Sequence, residues 1–270
     1  MTDGGTARNI TWVLQDGAIR PEEEEILTRA IAATGAAVHR TRVIPFTERF
    51  DGPPPALSGP VLCYGYGALV AAGRHLGWRP CGWDGAGLGL RAVVSSLGPL
   101  AWNAAATFHP LSDLRRLAEG LTTQVFVRPE AETKVFAGRL HDGTSMLRWL
   151  DGLDRADWAG ADDPLFAVAP VRPCRTEWRV WIVDGVPIAG CRYGVDGHAD
   201  PAPDLPGRIA AFARRAVALH DPLPAYVLDV GEDAAGLGVI ELNAVNSAGF
   251  YAADIGAIVA ALTHHIRRSQ

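Results

Sequence analysis

Tyr226-Val227-Leu228-Asp229-Val230-Gly231, a short loop, and then Gly238-Val239-Ile240-Glu241-Leu242-Asn243 form the stretch on which the reading of this chain turns. Both halves are rich in β-branched and apolar residues, and the glycine-containing connection suits a hairpin. Residues two apart on a strand share a face, so Glu241 and Asn243 project together. A turn near Ala235 would set Asp229 directly across from Glu241 on that face. Two carboxylates and an amide oxygen then converge in an otherwise apolar sheet. Carboxylates at that range repel and desolvate one another unless a cation sits between them. A hard cation with few protein oxygen ligands, completed by phosphates, describes Mg²⁺ in a nucleotide site. The competing reading has Asp229 and Glu241 as exposed acids on a solvated sheet face. What favours the metal is the segment that follows, Asn243-Ala244-Val245-Asn246-Ser247-Ala248-Gly249, a polar, glycine-ended loop of the kind that carries ligand contacts.

The matching cations lie upstream. Arg128 closes one strand and Lys134 opens the next, while Arg175, Arg179 and Arg192 lie in or beside a hairpin marked by Asp184-Gly185. Glu177 and Arg179 share a strand face. A triphosphate needs several fixed cations and a metal, because its charge must be compensated as it redistributes during transfer. Arginine offers a planar fork for oxyanions and lysine a point charge. Arg172 and Arg175 read as loop residues and Arg139 and Arg148 as surface charges, but Arg179 and Lys134 sit among apolar neighbours.

The rest of the chain sets the frame. Its 270 residues allow one large domain or two small ones. The net charge of -5, with no run of Lys or Arg, argues against a nucleic-acid binder working by phosphate neutralisation. Met1 to Asn9 lacks the apolar centre of a signal peptide. The longest uncharged stretch, Ala92 to Ser112, is interrupted by Gly98, Pro99, Asn103, His109 and Pro110, so it reads as buried strand plus loop and not as a membrane span. Cys63, Cys81, Cys174 and Cys191 lack zinc-site spacing and read as buried thiols of a cytoplasmic protein.

The first hundred residues alternate strand and helix signals: Ile10 to Leu14, a helix opening at Pro21 with Glu22 to Glu25, then Ala36 to Ile44 and Pro60 to Tyr64. That alternation predicts a small parallel α/β layer. Gly65-Tyr66-Gly67 and Gly85-Ala86-Gly87-Leu88-Gly89 lack the remaining residues of phosphate-binding motifs and are assigned no cofactor. From about residue 95 the texture becomes antiparallel, with helices expected near Met146 to Leu153, over Gly207 to His220, and at the C-terminus. The fold class is therefore α/β, of the α+β kind. Three units are expected: 1–95, an α/β substrate domain; 96–165, a first lobe; and 166–270, a second lobe with the metal site.

In order, Val127-Arg128-Pro129, Lys134 to Gly138, Glu177-Trp178-Arg179-Val180, Asp184-Gly185, Asp229-Val230-Gly231 and Glu241-Leu242-Asn243 resemble the ATP-grasp superfamily. The likeness is to compact, stand-alone bacterial and phage ATP-grasp proteins expected to be amino-acid or peptide ligases. The Glu-x-Arg and Glu-x-Asn strands are similar to those of ribosomal-protein glutamate ligases. The resemblance covers roughly Gln124 to the C-terminus, and it implies an ATP-grasp fold preceded by a small parallel pre-ATP-grasp domain. It also implies ATP and Mg²⁺ as cofactors. Lys134 would contact the α/β-phosphates, with Arg128 also on the nucleotide. The Phe166 to Pro170 hinge would read adenine through Val168 and Ala169. Glu177 would lie near the ribose, although the hinge lacks the acid many ATP-grasp proteins use there. Arg179 and Arg192 would hold the γ-phosphate and the developing acyl phosphate, and Asp229, Glu241 and Asn243 would bind the metal.

The implied activity is an ATP-dependent carboxylate–amine ligase acting on small-molecule or peptide substrates, with no nucleic-acid or membrane partner and no assignment of oligomeric state. Acceptor contacts are expected from the first domain and from loops around Gly65-Tyr66-Gly67, Trp83-Asp84 and Asn246-Ser247. One alternative is a kinase, with Asp196, His198 or Asp200 orienting a hydroxyl. Another is a non-catalytic nucleotide-binding protein.

Overall fold

A computed structural model describes residues 9–44, 47–131, 138–153 and 163–269. The first sheet comes from β1 (Thr11–Gln15), β2 (Ala37–Thr41), β3 (Val61–Tyr64) and β4 (Pro80–Cys81), in the order β2-β1-β3-β4 and all parallel. Helix α1 (Pro21–Ala33) follows β1 with proline in its first turn, beside Glu22, Glu23 and Glu24. Proline loses no helical hydrogen bond there, and the acids meet the positive end of the helix dipole. Parallel strands are covered on both faces, which is why β1 and β3 are buried along their whole length. Leu27 and Ile31 of α1 pack with Trp12 and Leu14 on one face. Leu69 and Val70 of α2 (Gly67–His75) pack with Val13 and Cys63 on the other. The chain thus leaves β1 towards β2 and leaves β3 towards β4. Right-handed crossovers of that kind diverge, opening a crevice between the C-terminal ends of β1 and β3.

The uncharged stretch departs from expectation. Its first part is helix α3 (Leu90–Leu97), whose Leu90, Val93 and Leu97 are buried. A strand follows only at β5 (Thr107–Pro110). A short apolar run does not by itself separate a buried strand from a buried helix. Among the described residues no helix is long and apolar enough to cross a membrane.

The second sheet contains β5, β6 (Val125–Pro129), β7 (Arg139–His141) and β8 (Leu165–Pro170), in the antiparallel order β5-β8-β6-β7. Helices α4 (Leu114–Gly120) and α5 (Gly143–Gly152) cover one face through Leu114, Met146, Val127, Phe166 and Val168. Asp142 and Ser145 cap α5 reciprocally. Because β8 is a central strand here, the division expected at 165/166 moves to after Pro170.

The third sheet is the largest: β9 (Thr176–Val183), β10 (Val186–Val195), β11 (His198–Ala202), β12 (Ala225–Asp233) and β13 (Gly236–Asn243), in the antiparallel order β11-β10-β9-β12-β13. Asp184 and Gly185 turn β9 into β10 with φ of 50° and 71°, the positive values a tight hairpin requires. Trp178, Val180, Ile182, Leu228 and Val230 face α6 (Gly207–Leu219) and α3. Trp181, Val183, Ala225 and Val227 face the other way, onto α7 (Ile255–Arg268). That last helix also packs on Trp12, Leu27 and Ile31, so the two ends of the chain share one core.

Candidate active site

The hairpin of β12 and β13 closes at Asp233↔Gly236, a register that would set Asp229 opposite Ile240 if it ran unbroken. It does not run unbroken. Val230 pairs with Val239, and Asp229 pairs with Glu241, leaving Ile240 as the extra residue of a β-bulge. Since one step of register exchanges the two faces of a strand, the bulge is what delivers Glu241 and Asn243 to the face of Asp229. The expected juxtaposition holds, but through a bulge and not through a turn centred at Ala235.

On that face the Asn243 amide nitrogen donates to Asp229 Oδ2 at 3.1 Å and to Glu241 Oε1 at 3.0 Å. Asp229, with 1% of its surface exposed, accepts two hydrogen bonds from Arg179: Nε to Oδ1 at 2.9 Å and Nη2 to Oδ2 at 2.7 Å. Arg179 Nη1 donates onward to the Gly249 carbonyl at 3.3 Å. Glu241 is gripped from the second sheet by Arg128, at 2.7 Å. This ion pair spans the cleft between the second and third sheets.

The charges are tuned apart. Burial pushes the Asp229 carboxyl above its ordinary range, against the charge and hydrogen bonds of Arg179. Burial also opposes the charge of Glu241, but Arg128 and the Asn243 amide outweigh it and hold that carboxyl low. The Arg179 guanidinium loses by burial and gains more from Asp229, ending above its usual value.

Two tyrosines complete the site, and neither stood out in the sequence. Tyr193 is the extra residue of a second bulge, between Arg192 and Gly194. Its hydroxyl donates to Glu177 Oε2 at 2.7 Å, and its ring stacks on Tyr251 at 5.2 Å. The Arg179 guanidinium lies 5.0 Å from the Tyr251 ring centre. Tyr251 holds a φ of 52°, unusual for a bulky residue and a sign of local constraint beside the site. Burial and the nearby Asp229 and Glu177 charges raise the Tyr193 phenol, which stays a neutral donor.

The loop after β13 is fixed by stacking. Phe250 lies between Trp181 (5.1 Å) and Tyr64 (4.9 Å), so one aromatic column joins the third sheet, the loop and the first sheet. Asn246 accepts from the Trp83 amide at 3.1 Å and donates to the Cys63 carbonyl at 2.7 Å.

Arg128, Glu177, Arg179, Asp229, Glu241 and Asn243 therefore meet as one site. Arg192 does not join them. Ile188 is an extra residue in β10, so Arg192 pairs with Trp178 and shares its face, away from Arg179. There it binds Asp200 at 3.0 Å. Val168 turns its side chain to the helices behind the second sheet, while Ala169 pairs with Phe126 on the face of Arg128. Strand β5 ends opposite Val168, so Ala169 has a neighbouring strand on one side only. The connection between lobes follows, at 171–175. Lys134 lies outside the described residues.

Among the described residues no three His, Cys, Asp or Glu side chains converge on a metal position, so a metal here depends on Asn243. The donor set fits one. Both carboxylates reach the same amide group, whose oxygen and nitrogen exchange by rotation, and hard oxygen ligands of that kind suit Mg²⁺.

Two sheets facing each other across a cleft, with paired acids and an asparagine on one and an arginine reaching from the other, define a nucleotide-clasping protein. The sequence model of an ATP-grasp domain family, the third family of its clade, matches residues 26–262, and the chain belongs to that family. Solved structures agree on the fold. D-cycloserine synthetase DcsG superimposes with a TM-score of 0.64 at 15% identity, covering 97% of this chain and 100% of that one. A RimK domain ATP-grasp protein from Sphaerobacter thermophilus gives 0.61 at 16% identity, covering 93% and 98%. The ATP-grasp ligase PsnB, complexed with precursor peptide PsnA2 and AMPPNP, gives 0.56 at 16% identity, covering 96% and 98%. A search of curated protein sequences found no relative. The family and fold are those the resemblance implied, and ATP-dependent ligases are prominent among the neighbours.

Proposed function

We propose that this protein is an ATP-dependent carboxylate–amine ligase. The observation that carries the reading is the buried network Arg179–Asp229–Asn243–Glu241–Arg128, which bridges the two sheets of the cleft. Asp229, Glu241 and Asn243 would hold Mg²⁺, which when bound supplies charge neutralisation at the triphosphate. Arg128 and Arg179 carry the fixed positive charge, and Lys134 is assigned to the phosphates with them. Val168 and Ala169 are assigned to adenine and Glu177 to the ribose side.

A substrate carboxylate oxygen attacks the γ-phosphorus, and the bond from that phosphorus to the bridging oxygen of ADP breaks. The resulting acyl phosphate is attacked by an amine at its carbonyl carbon. Phosphate leaves with the bonding electrons, and the nitrogen loses a proton. Such chemistry asks the protein for positioning and electrostatic compensation, not for a nucleophile. Wild-type protein should release ADP only when both a carboxylate and an amine are supplied, with amide formed in equal amount. ADP without amide sinks the reading. The kinase alternative lacks support on one point: Asp200 is paired with Arg192 on the opposite face of the sheet.

A further inference from the structure

The crevice between β1 and β3 is not empty protein surface. A cavity of about 50 Å³ sits there, lined by Ala18, Ile19, Glu23, Tyr64, Gly65 and Tyr66 from the first sheet and by Asn246, Ser247 and Gly249 from the loop after β13. It occupies the switch point where the crossovers to α1 and α2 diverge, the usual ligand position of an open parallel sheet. The loop that roofs it is fastened from below. Gly65 donates its amide to the Asn246 carbonyl at 2.7 Å, and the Tyr64 hydroxyl donates to the Ala248 carbonyl. A Cβ at Gly65 would come within 2.5 Å of the Gln15 side chain, so the close approach of strand to strand end excludes any other residue.

One charged side chain lines this cavity: Glu23, in the first turn of α1. Its side chain is 12% exposed, whereas its partner Arg20, 2.5 Å away, is 60% exposed and stands outside. Acid inside and base outside leaves the interior with negative potential. The other polar features of the lining are backbone groups, hydroxyls and an amide. Gly249 closes the far end, and the Gly249 carbonyl is the group that holds Arg179. The cavity therefore abuts the phosphate-handling centre at one end and presents a carboxylate at the other.

From this arrangement we infer that the cavity binds the ammonium group of an amino-acid substrate, with Glu23 as its counter-ion and the substrate's carboxylate directed past Gly249 towards Arg179. The inference rests on the ligase reading and narrows it, because the activated carboxylate then belongs to a molecule carrying a free amine. A desolvated primary ammonium needs an anion and hydrogen-bond acceptors, and an isosteric substrate without it leaves Glu23 buried against an apolar group.

The test uses full-length protein with Mg·AMPPNP and saturation-transfer NMR, with glycine, L-alanine and D-alanine as probes against acetate and propionate. At least one amino acid should bind at least about ten times more tightly than its deaminated counterpart, a preference of about 1.4 kcal/mol. Glu23→Gln should abolish that preference, and Glu23→Asp should keep it in weakened form. Both variants should retain the wild-type thermal shift with Mg·ATP, which shows that fold and nucleotide site are intact. Equal binding of propionate and alanine, wild-type preference in Glu23→Gln, or no amino-acid binding overturns the inference. Failure of the ligase reading looks different: amino acids bind through Glu23, but no amide accompanies ADP.

Discussion

The two faces of the large sheet treat the same residue type in opposite ways. On one face Arg179 is buried against a wholly buried Asp229, held by two hydrogen bonds in a region otherwise built of Trp181, Val227 and Phe250. On the other face Arg192, a single strand away, meets Asp200 and Asp204, whose side chains are 51% and 44% exposed. The first pair has left water and depends on its partner. The second has not, and solvent screens it. Burial, not sequence neighbourhood, sets what each arginine is worth.

The sharpest way to break this contrast is to remove Arg179. Arg179→Ala strands a buried carboxylate and should cost about 3–5 kcal/mol of stability in urea unfolding. A cost near that of a surface pair would refute the burial argument. Next in size is the ligand effect. Mg·ATP at a hundredfold excess over Kd should stabilise the wild type by about 2.7 kcal/mol, and Glu241→Ala should lose most of that gain in a thermal-shift titration.

A third test uses pH at the far end of the β12–β13 hairpin. Hydrogen bonds from Arg172 pull Asp233 from its ordinary 3.8 to about 2. A depressed folded value stabilises above the unfolded one, so the contribution is complete above about pH 4 and disappears as the pH falls towards 2. Melting temperatures of wild type and Asp233→Asn should therefore differ at pH 5 and converge near pH 2, and a constant gap across that range contradicts the assignment. The smallest effect belongs to Arg192. Arg192→Ala should change stability by less than about 1 kcal/mol, and less still at high salt. It should leave the Mg·ATP shift unchanged, because its side chain is on the wrong face.

The elements were written plainly in the residues. Pro21 and the glutamates after it mark the start of α1, Asp184-Gly185 marks a hairpin, and the spacing of Ile255, Ile258, Val259, Leu262 and Ile266 marks the last helix. These are local signals, and local conformational preference decides them. The acidic pair with its asparagine was legible too, as were Arg128, Glu177 and Arg179. The helix over Leu90–Leu97 was not, because a run of 8 residues gives too little periodicity to choose between helix and strand.

Register lay beyond the sequence altogether. Without the extra residue at Ile188, the hairpin would have placed Arg192 opposite Glu177 and on the site face, and without the one at Ile240 it would have turned Glu241 away. Alternation counts residues along one strand, whereas a bulge depends on how the partner strand and the core accept the extra one. The cavity beside Glu23 has the same origin: its walls come from opposite ends of the chain, brought together when α7 and the Phe250 column close on the first sheet. Local chemistry thus named the actors, and long-range packing decided which of them meet.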